Sequence, residues 1–385
     1  MTKDNSNKLI WIDIMKGILI LLMVLGHTYV VYKEFIYLFH MAVFFMISGY
    51  CWSEKHANNA KSAGKYIIQK IIRLYIPFVL INILYILLNN IFIRMGIYSD
   101  SPEFLVLTSG APVKQNLTEY YTLVQMIKGI IRTLCFAGGA ARLCGATWFL
   151  STIFMVSVFH CILAWIIEKV KWNKMIVYSI VMFICLAWAW LVDCGIITTI
   201  GAFDRFPSAY AVYIVGIIIK VLNKNEKYNS LINFERTPTI IVSTIISFGL
   251  LVAFYMSGFH VELAKEEISN PLGYMIVSIC GWIFIKDIAI LFSRYKLSIK
   301  VFQLLGNRTI PILLFHTLSF KIVSLFYLKI TDGDKLLLAS YPVIFTTGEW
   351  IKYLYLIVGI VVPLIIYKIY SVGKNGIVNK TIKPS

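Results

Sequence analysis

The sequence is short of charge. Only 14% of its 385 residues are Asp, Glu, Lys or Arg, against 59% in the hydrophobic set, where a soluble domain carries about 25% charged and about 45–50% apolar residues. That shortage excludes a water-soluble globular chain, and the 15% of aromatic residues excludes disorder. The weak ~10-residue alternation of a membrane β-barrel is missing too. The seven cysteines form no CxxC and no Cys/His cluster with metal spacing, so no metal is expected. Most of them (Cys51, Cys161, Cys185, Cys280) lie in apolar runs as small hydrophobes, while Cys135 and Cys144 share one loop and have the option of pairing. No internal repeat, low-complexity tract or separate soluble domain is visible. Acidic groups are the scarcer sign, 19 against 36 Lys and Arg, for a net charge of +17. No basic patch sits within a soluble domain, so nucleic acid is not an expected partner.

What is present is long apolar runs. The first follows Lys8 but is too long for a signal peptide, carries Asp13, Lys16 and His27, and lacks a small-x-small cleavage site. Runs of about 17–25 residues predict about ten spanning helices, at residues 9–31, 35–52, 66–93, 145–167, 175–192, 206–222, 238–257, 271–292, 310–328 and 351–369. The expected fold is therefore all-α, a polytopic transmembrane bundle with lipid around it. Basic loops (the N-terminus, 55–73, 169–174, 220–236, 294–308 and the tail after Tyr367) alternate with mixed or acidic ones (33–34, 94–142, 193–205, 262–267, 332–349). Lysine and arginine concentrate in the first set, which predicts that both termini are cytoplasmic. Residues 1–372 read as one integral-membrane domain and 373–385 as a short basic tail. Within the longest outer loop, residues 120–136 read as an amphipathic helix, with Leu123, Ile127, Ile130, Ile131 and Leu134 against Gln125, Lys128 and Arg132.

Ionisable groups inside an apolar helix are costly and so are candidates for function. Lys16 and His27, eleven residues apart, differ by only ~20° around a helix and by ~16 Å along it. Asp13 lies three residues before Lys16, within pairing distance. His40 is expected at a depth similar to His27, since the first helix ends and the second begins on one side. Lys70 and Arg73 open the third helix from the cytoplasmic side, either as topology anchors or as cations for phosphates. His316 falls in the inner half of the ninth run. Arg142 and Trp148 stand where the fourth run enters from outside.

Taken together these residues resemble the acyltransferase 3 family, and within it the branch of fucose 4-O-acetylase-like and exopolysaccharide acetyltransferases. Trp11-Ile-Asp13-Ile-Met-Lys16-Gly17 with Leu25-Gly26-His27 is similar to the first-helix signature, Lys16 standing where the family commonly has arginine. Phe39-His40-Met41, Phe44-Phe45 and Ser48-Gly49-Tyr50 resemble the second-helix block, with Ala42 and Val43 in its proline region. Lys70-Ile-Ile-Arg73 with Pro77 resembles the R-x-x-R element, Trp148-Phe149-Leu150 the WFL element, and Phe206-Pro207 with Gly216 the mid-chain helix. Gly306-Asn307 with Phe315-His316 resembles the late G-x-x-S…H element, from which Thr309 and Pro311 depart.

The resemblance implies a bacterial cell-membrane enzyme without a fused soluble domain. It would move an acyl group, most often acetyl from acetyl-CoA with succinyl as the other option, to a hydroxyl of a surface glycan or lipid-linked saccharide. His27 would be the general base. Lys16, His40 or Arg142 would oppose the oxyanion, with Asp13 beside Lys16. Lys70, Arg73 and His316 would serve the donor, and Arg142 and Trp148 the acceptor side. Direct transfer and a covalent acyl-His27 intermediate both remain open. The rival readings are a transporter or exporter of a glycan or small solute, and a non-catalytic subunit of a polysaccharide synthase.

Overall fold

A computed structural model describes residues 3–137, 141–197, 202–224 and 237–381. Much of the basic loop 220–236, part of the loop 193–205 and the last residues of the basic tail lie outside the described residues. The described residues are predominantly helical, as backbone must be where hydrocarbon offers no partners for N–H and C=O. In order come α1 (Lys3–Gly26), α2 (Lys33–Tyr37), α3 (His40–Tyr50), α4 (Ala60–Lys70), α5 (Ile76–Leu87), α6 (Asn89–Arg94), α7 (Pro102–Leu107), α8 (Leu123–Leu134), α9 (Trp148–Val170), α10 (Lys174–Asp193), α11 (Ala202–Lys224), α12 (Thr237–Met256), α13 (Pro271–Phe292), α14 (Lys296–Asn307), α15 (Thr309–Thr331) and α16 (Glu349–Thr381). A two-stranded antiparallel hairpin, β1 (Val261–Glu262) and β2 (Glu267–Ile268), joins α12 to α13.

Among the described residues, eight helices are long and apolar enough to cross a membrane. They include one continuous rod over Ala60–Leu87, in which α4 passes into α5 through a π-helical turn at Ile71–Tyr75. Pro77 comes two residues after that turn, and its missing N–H cannot bond back to Arg73, which accounts for the widened turn. The predicted span at 35–52 is instead broken. α2 has 5 residues and α3 has 11, so α3 covers ~16 Å, about half the hydrocarbon thickness. It is buried along nearly its whole length, from His40 to Ile47 and at Gly49. Its apolar composition thus reflects an interior position.

Only about a fifth of the apolar windows of α10, α12 and α16 is buried (22%, 17% and 17%), against 56%, 61% and 56% for the helices built on α9, α11 and α15. The former are peripheral, and the latter surround the core with α1 and α3. Two helix crossings set the interior spacing. A Cβ on Gly17 would lie 2.1 Å from the Phe302 carbonyl oxygen, and one on Gly306 1.9 Å from that of Asp13, so α1 and α14 touch backbone to backbone. Gly49 and Gly216 do the same for α3 and α11, at 1.9 Å from Tyr213 O and 2.0 Å from Met46 O. Small residues permit this approach, and in lipid such packing replaces the hydrophobic drive. The amphipathic α8 forms as expected, closed by a Thr122–Gln125 capping box, and its apolar side chains are exposed.

Gly216→Val is expected to destabilise the fold by about 2–3 kcal/mol, since no backbone at the crossing can retreat. Gly249→Ala, where an added methyl meets nothing, should be neutral. Thermal unfolding of the detergent-solubilised protein compares the two.

Candidate active site

The bundle end where α1 begins is called basal here, and the end where it finishes distal. α1 stops at Gly26, and His27 follows in the turn. α15 brings His316 against it. The two rings lie nearly parallel, 15° apart, with His27 Nδ1 3.1 Å from His316 Nε2. The other nitrogen of His316, Nδ1, is 3.0 Å from each of the Ile312 and Leu313 carbonyl oxygens. A carbonyl only accepts, so His316 Nδ1 carries the proton and Nε2 presents a lone pair. His27 must then donate from Nδ1, and its own Nε2 is left bare. His316, expected in the inner half apart from His27, is therefore at the same depth and in contact with it. The reason is that α15 begins beside α1, where Gly306 touches Asp13, and climbs with it.

His27 lines a cleft of about 250 Å³ that opens at the distal end. His40, the first residue of α3, lines it too, so the expected pairing in depth of His27 and His40 is found. His40 Nδ1 donates to the Ile36 carbonyl at 2.8 Å. Its Nε2 is thereby an acceptor as well, and neutral His40 has no proton to offer an oxyanion. Trp148 lines the cleft from the start of α9, with the Arg205 guanidinium 5.7 Å from its ring centroid. Arg142 does not line it. Its guanidinium donates to Asn116 O (2.6 Å) and Gln115 Oε1 (3.0 Å), tying the loop after α7 to the entry of α9.

The remaining sequence candidates lie basally. Lys16 Nζ pairs with Asp13 at 3.0 Å. Lys70 caps the Tyr66 ring at 5.1 Å, and Arg73 is exposed on the π-helical turn. Lys16, Lys70, Lys220 and Asp13 all act electrostatically on the Cys51 thiol, which puts them in its neighbourhood. Lys220 is an addition from the structure: it donates to the Trp52 carbonyl, and its sequence position among ordinary loop lysines gave no signal. Cys135 and Cys144 are both free.

A match to the family model described as an acyltransferase domain covers residues 9–368. The chain belongs to the acyltransferase 3 family. No curated protein and no solved structure matches it. With its apolar helices, the chain is a multi-pass membrane acyltransferase. Nothing in the motifs foretold the roof of this acyltransferase's cleft, the β1–β2 hairpin, whose Val261, Glu262, Leu263, Ala264 and Lys265 line it. Arg205 Nε donates to Ala264 O at 2.6 Å, and Ser208 donates to the Glu266 carboxylate. Glu266 is buried at positive φ. Burial pushes its carboxyl up to about 8, against the opposing pull of Ser208 and the Arg205 charge.

Two measurements check this geometry. In 15N-histidine spectra of the neutral protein, His27 and His316 should both be Nδ1-protonated, and an Nε2-protonated His27 would refute the orientation. Because the folded-state pKa of Glu266 is raised, its contribution to hairpin stability is full below the ordinary carboxylate range and is lost as pH rises towards about 8. Amide exchange of residues 261–268 should accelerate over that window and become pH-flat, after correction for intrinsic rates, in Glu266→Gln.

Proposed function

We propose that this acyltransferase moves an acyl group, acetyl foremost, from acyl-CoA held at the basal end to a hydroxyl of a glycan entering the distal cleft. The observation that carries the reading is the bare Nε2 of His27, turned towards the cleft by its bond to His316. A neutral imidazole with one free lone pair is what general-base catalysis at a hydroxyl requires. As the acceptor oxygen bonds to the thioester carbonyl, His27 takes its proton. The C–S bond then breaks, and the same proton passes to the leaving thiolate. The products are an ester and free CoA, with no net change in protons.

The basal lysines support the donor side. CoA carries phosphates, and Lys70 and Lys220, with the Asp13-paired Lys16, lie in the neighbourhood of Cys51, with Arg73 one turn beyond Lys70. The excess of basic loops at that end supports a cytoplasmic location, where acyl-CoA is made. The ~16 Å along α1 between Lys16 and His27 suits an extended pantetheine arm reaching from the phosphates to the base. Aromatic lining from Tyr29, Tyr37, Tyr341 and Trp148, interspersed with polar groups such as Lys33, Glu262 and Lys265, supports a saccharide as acceptor. The bacterial cytoplasmic membrane and a surface or lipid-linked glycan complete the reading.

His27→Ala should lower transfer from radiolabelled acetyl-CoA to envelope glycan by at least about a hundredfold, with the folded monodisperse protein retained. Lys70→Ala should raise the donor KM about tenfold at nearly unchanged kcat. A fully active His27→Ala would overturn the assignment, and solute flux without thiol release would replace the enzyme with a transporter.

A further inference from the structure

Three tyrosines line the cleft, and the hydroxyls of two of them are occupied. Tyr29 donates to the Tyr341 carbonyl at 3.0 Å, and Tyr37 reaches the Gly26 carbonyl at 3.5 Å. The Tyr341 hydroxyl bonds no group among the described residues. It rests against Gly145, where an added Cβ would come within 2.1 Å of it.

The backbone of Tyr341 is held from several directions. Gln115 Nε2 donates to its carbonyl at 2.7 Å, and its N–H donates to Gln115 Oε1 at 2.9 Å, a paired bond of the kind found between bases. Arg142 donates to the same Gln115 oxygen. Lys321, buried within α15, gives two of its protons to the carbonyls of Leu338 (2.8 Å) and Ser340 (2.6 Å). A buried lysine and a half-buried arginine are costly ways to hold a loop. Here they fix the backbone at Leu338, Ser340 and Tyr341, the segment that brings Tyr341 and Pro342 to the cleft.

We propose that Tyr341 is the acceptor-binding residue of the cleft: its hydroxyl hydrogen-bonds an oxygen of the incoming saccharide, and its ring, with Trp148 and Tyr37, forms an aromatic wall for the sugar face. The inference rests on the glycan acyltransferase reading above. Every segment that grips Tyr341 is distal, whereas the donor enters basally, so the tyrosine addresses the acceptor and not the thioester. A phenol is suited to this, with an apolar face and one polar tip. By holding the sugar it sets the attacking hydroxyl beside His27 and keeps water from attacking in its place. Lys321, Gln115 and Arg142 are positioning residues that act through Tyr341.

The test uses the full-length protein in membrane vesicles of its own cells, with acetyl-CoA labelled in the acetyl group as the probe. Thiol release and label transferred to glycan are measured together. The wild type should release close to one thiol per acetyl transferred. Tyr341→Phe should transfer about tenfold more slowly at an unchanged acetyl-CoA KM, with the ratio of thiol to transferred acetyl rising severalfold as water captures the thioester. Gly145→Ala, which displaces the hydroxyl without removing it, should shift the ratio in the same direction. A Tyr341→Phe protein with wild-type rate and ratio overturns the proposal. So does a slowed variant whose ratio stays at one, which would put the hydroxyl on the thioester oxygen. Absence of thiol release from the wild type would instead overturn the transferase reading, and this inference with it.

Discussion

The proton on Nδ1 of His316 has only carbonyl oxygens to meet, those of Ile312 and Leu313. That local constraint of one helical turn fixes the tautomer of His316, then the direction of its bond to His27, and finally which nitrogen of His27 faces the cleft. No carboxylate is needed to orient the base. In a low-dielectric interior a neutral second imidazole does the same work without placing an unpaired charge in the bundle. Basal lysines, distal clamp and roof hairpin gain their meaning from where this lone pair points.

The constraint holds only if α1 and α15 keep their relative height, and the glycine crossings secure it. Gly17 and Gly306 seat α14 directly on α1, which starts α15 beside Asp13 and lets it rise to His27. Gly49 and Gly216 seat α3 on α11 and place His40 at the cleft floor. The polar groups are divided by depth. Lys16, Lys70 and Lys220 lie basally in the neighbourhood of Cys51, whereas the neutral imidazoles of His27 and His40 share the distal cleft with three tyrosines, behind which Arg142 and Lys321 are directed to side-chain and backbone oxygens. This division matches a reaction between a polyanionic donor reaching up from the basal end and a saccharide held in the distal cleft.

Much of this was legible in the sequence, and what was not has physical causes. Apolar runs located the long helices, because hydrophobic length is a one-dimensional property. The same criterion misjudged residues 35–52, since a buried half-helix such as α3 is as apolar as a lipid-facing one. Lys16 with Asp13, and His27 with His40, could be paired from helical spacing or shared depth. His27 and His316, 289 residues apart, could not, and their meeting depends on the crossing of α14 over α1. Arg142 stood out as an acceptor-side charge, and the structure directs it to Gln115 and Asn116 behind the cleft wall. The residue it supports, Tyr341, carries no charge or motif to mark it.

The central claim is that His316 aims the base. The measurement that tests it most directly is the single-turnover rate of acyl transfer for His316→Gln and His316→Phe. Glutamine offers an oxygen to His27 Nδ1–H in nearly the same place, whereas phenylalanine fills the space and accepts nothing. The account predicts that the glutamine variant stays within about tenfold of wild type and the phenylalanine variant falls about a hundredfold, at an unchanged donor KM. A phenylalanine variant that transfers at the wild-type rate would contradict it.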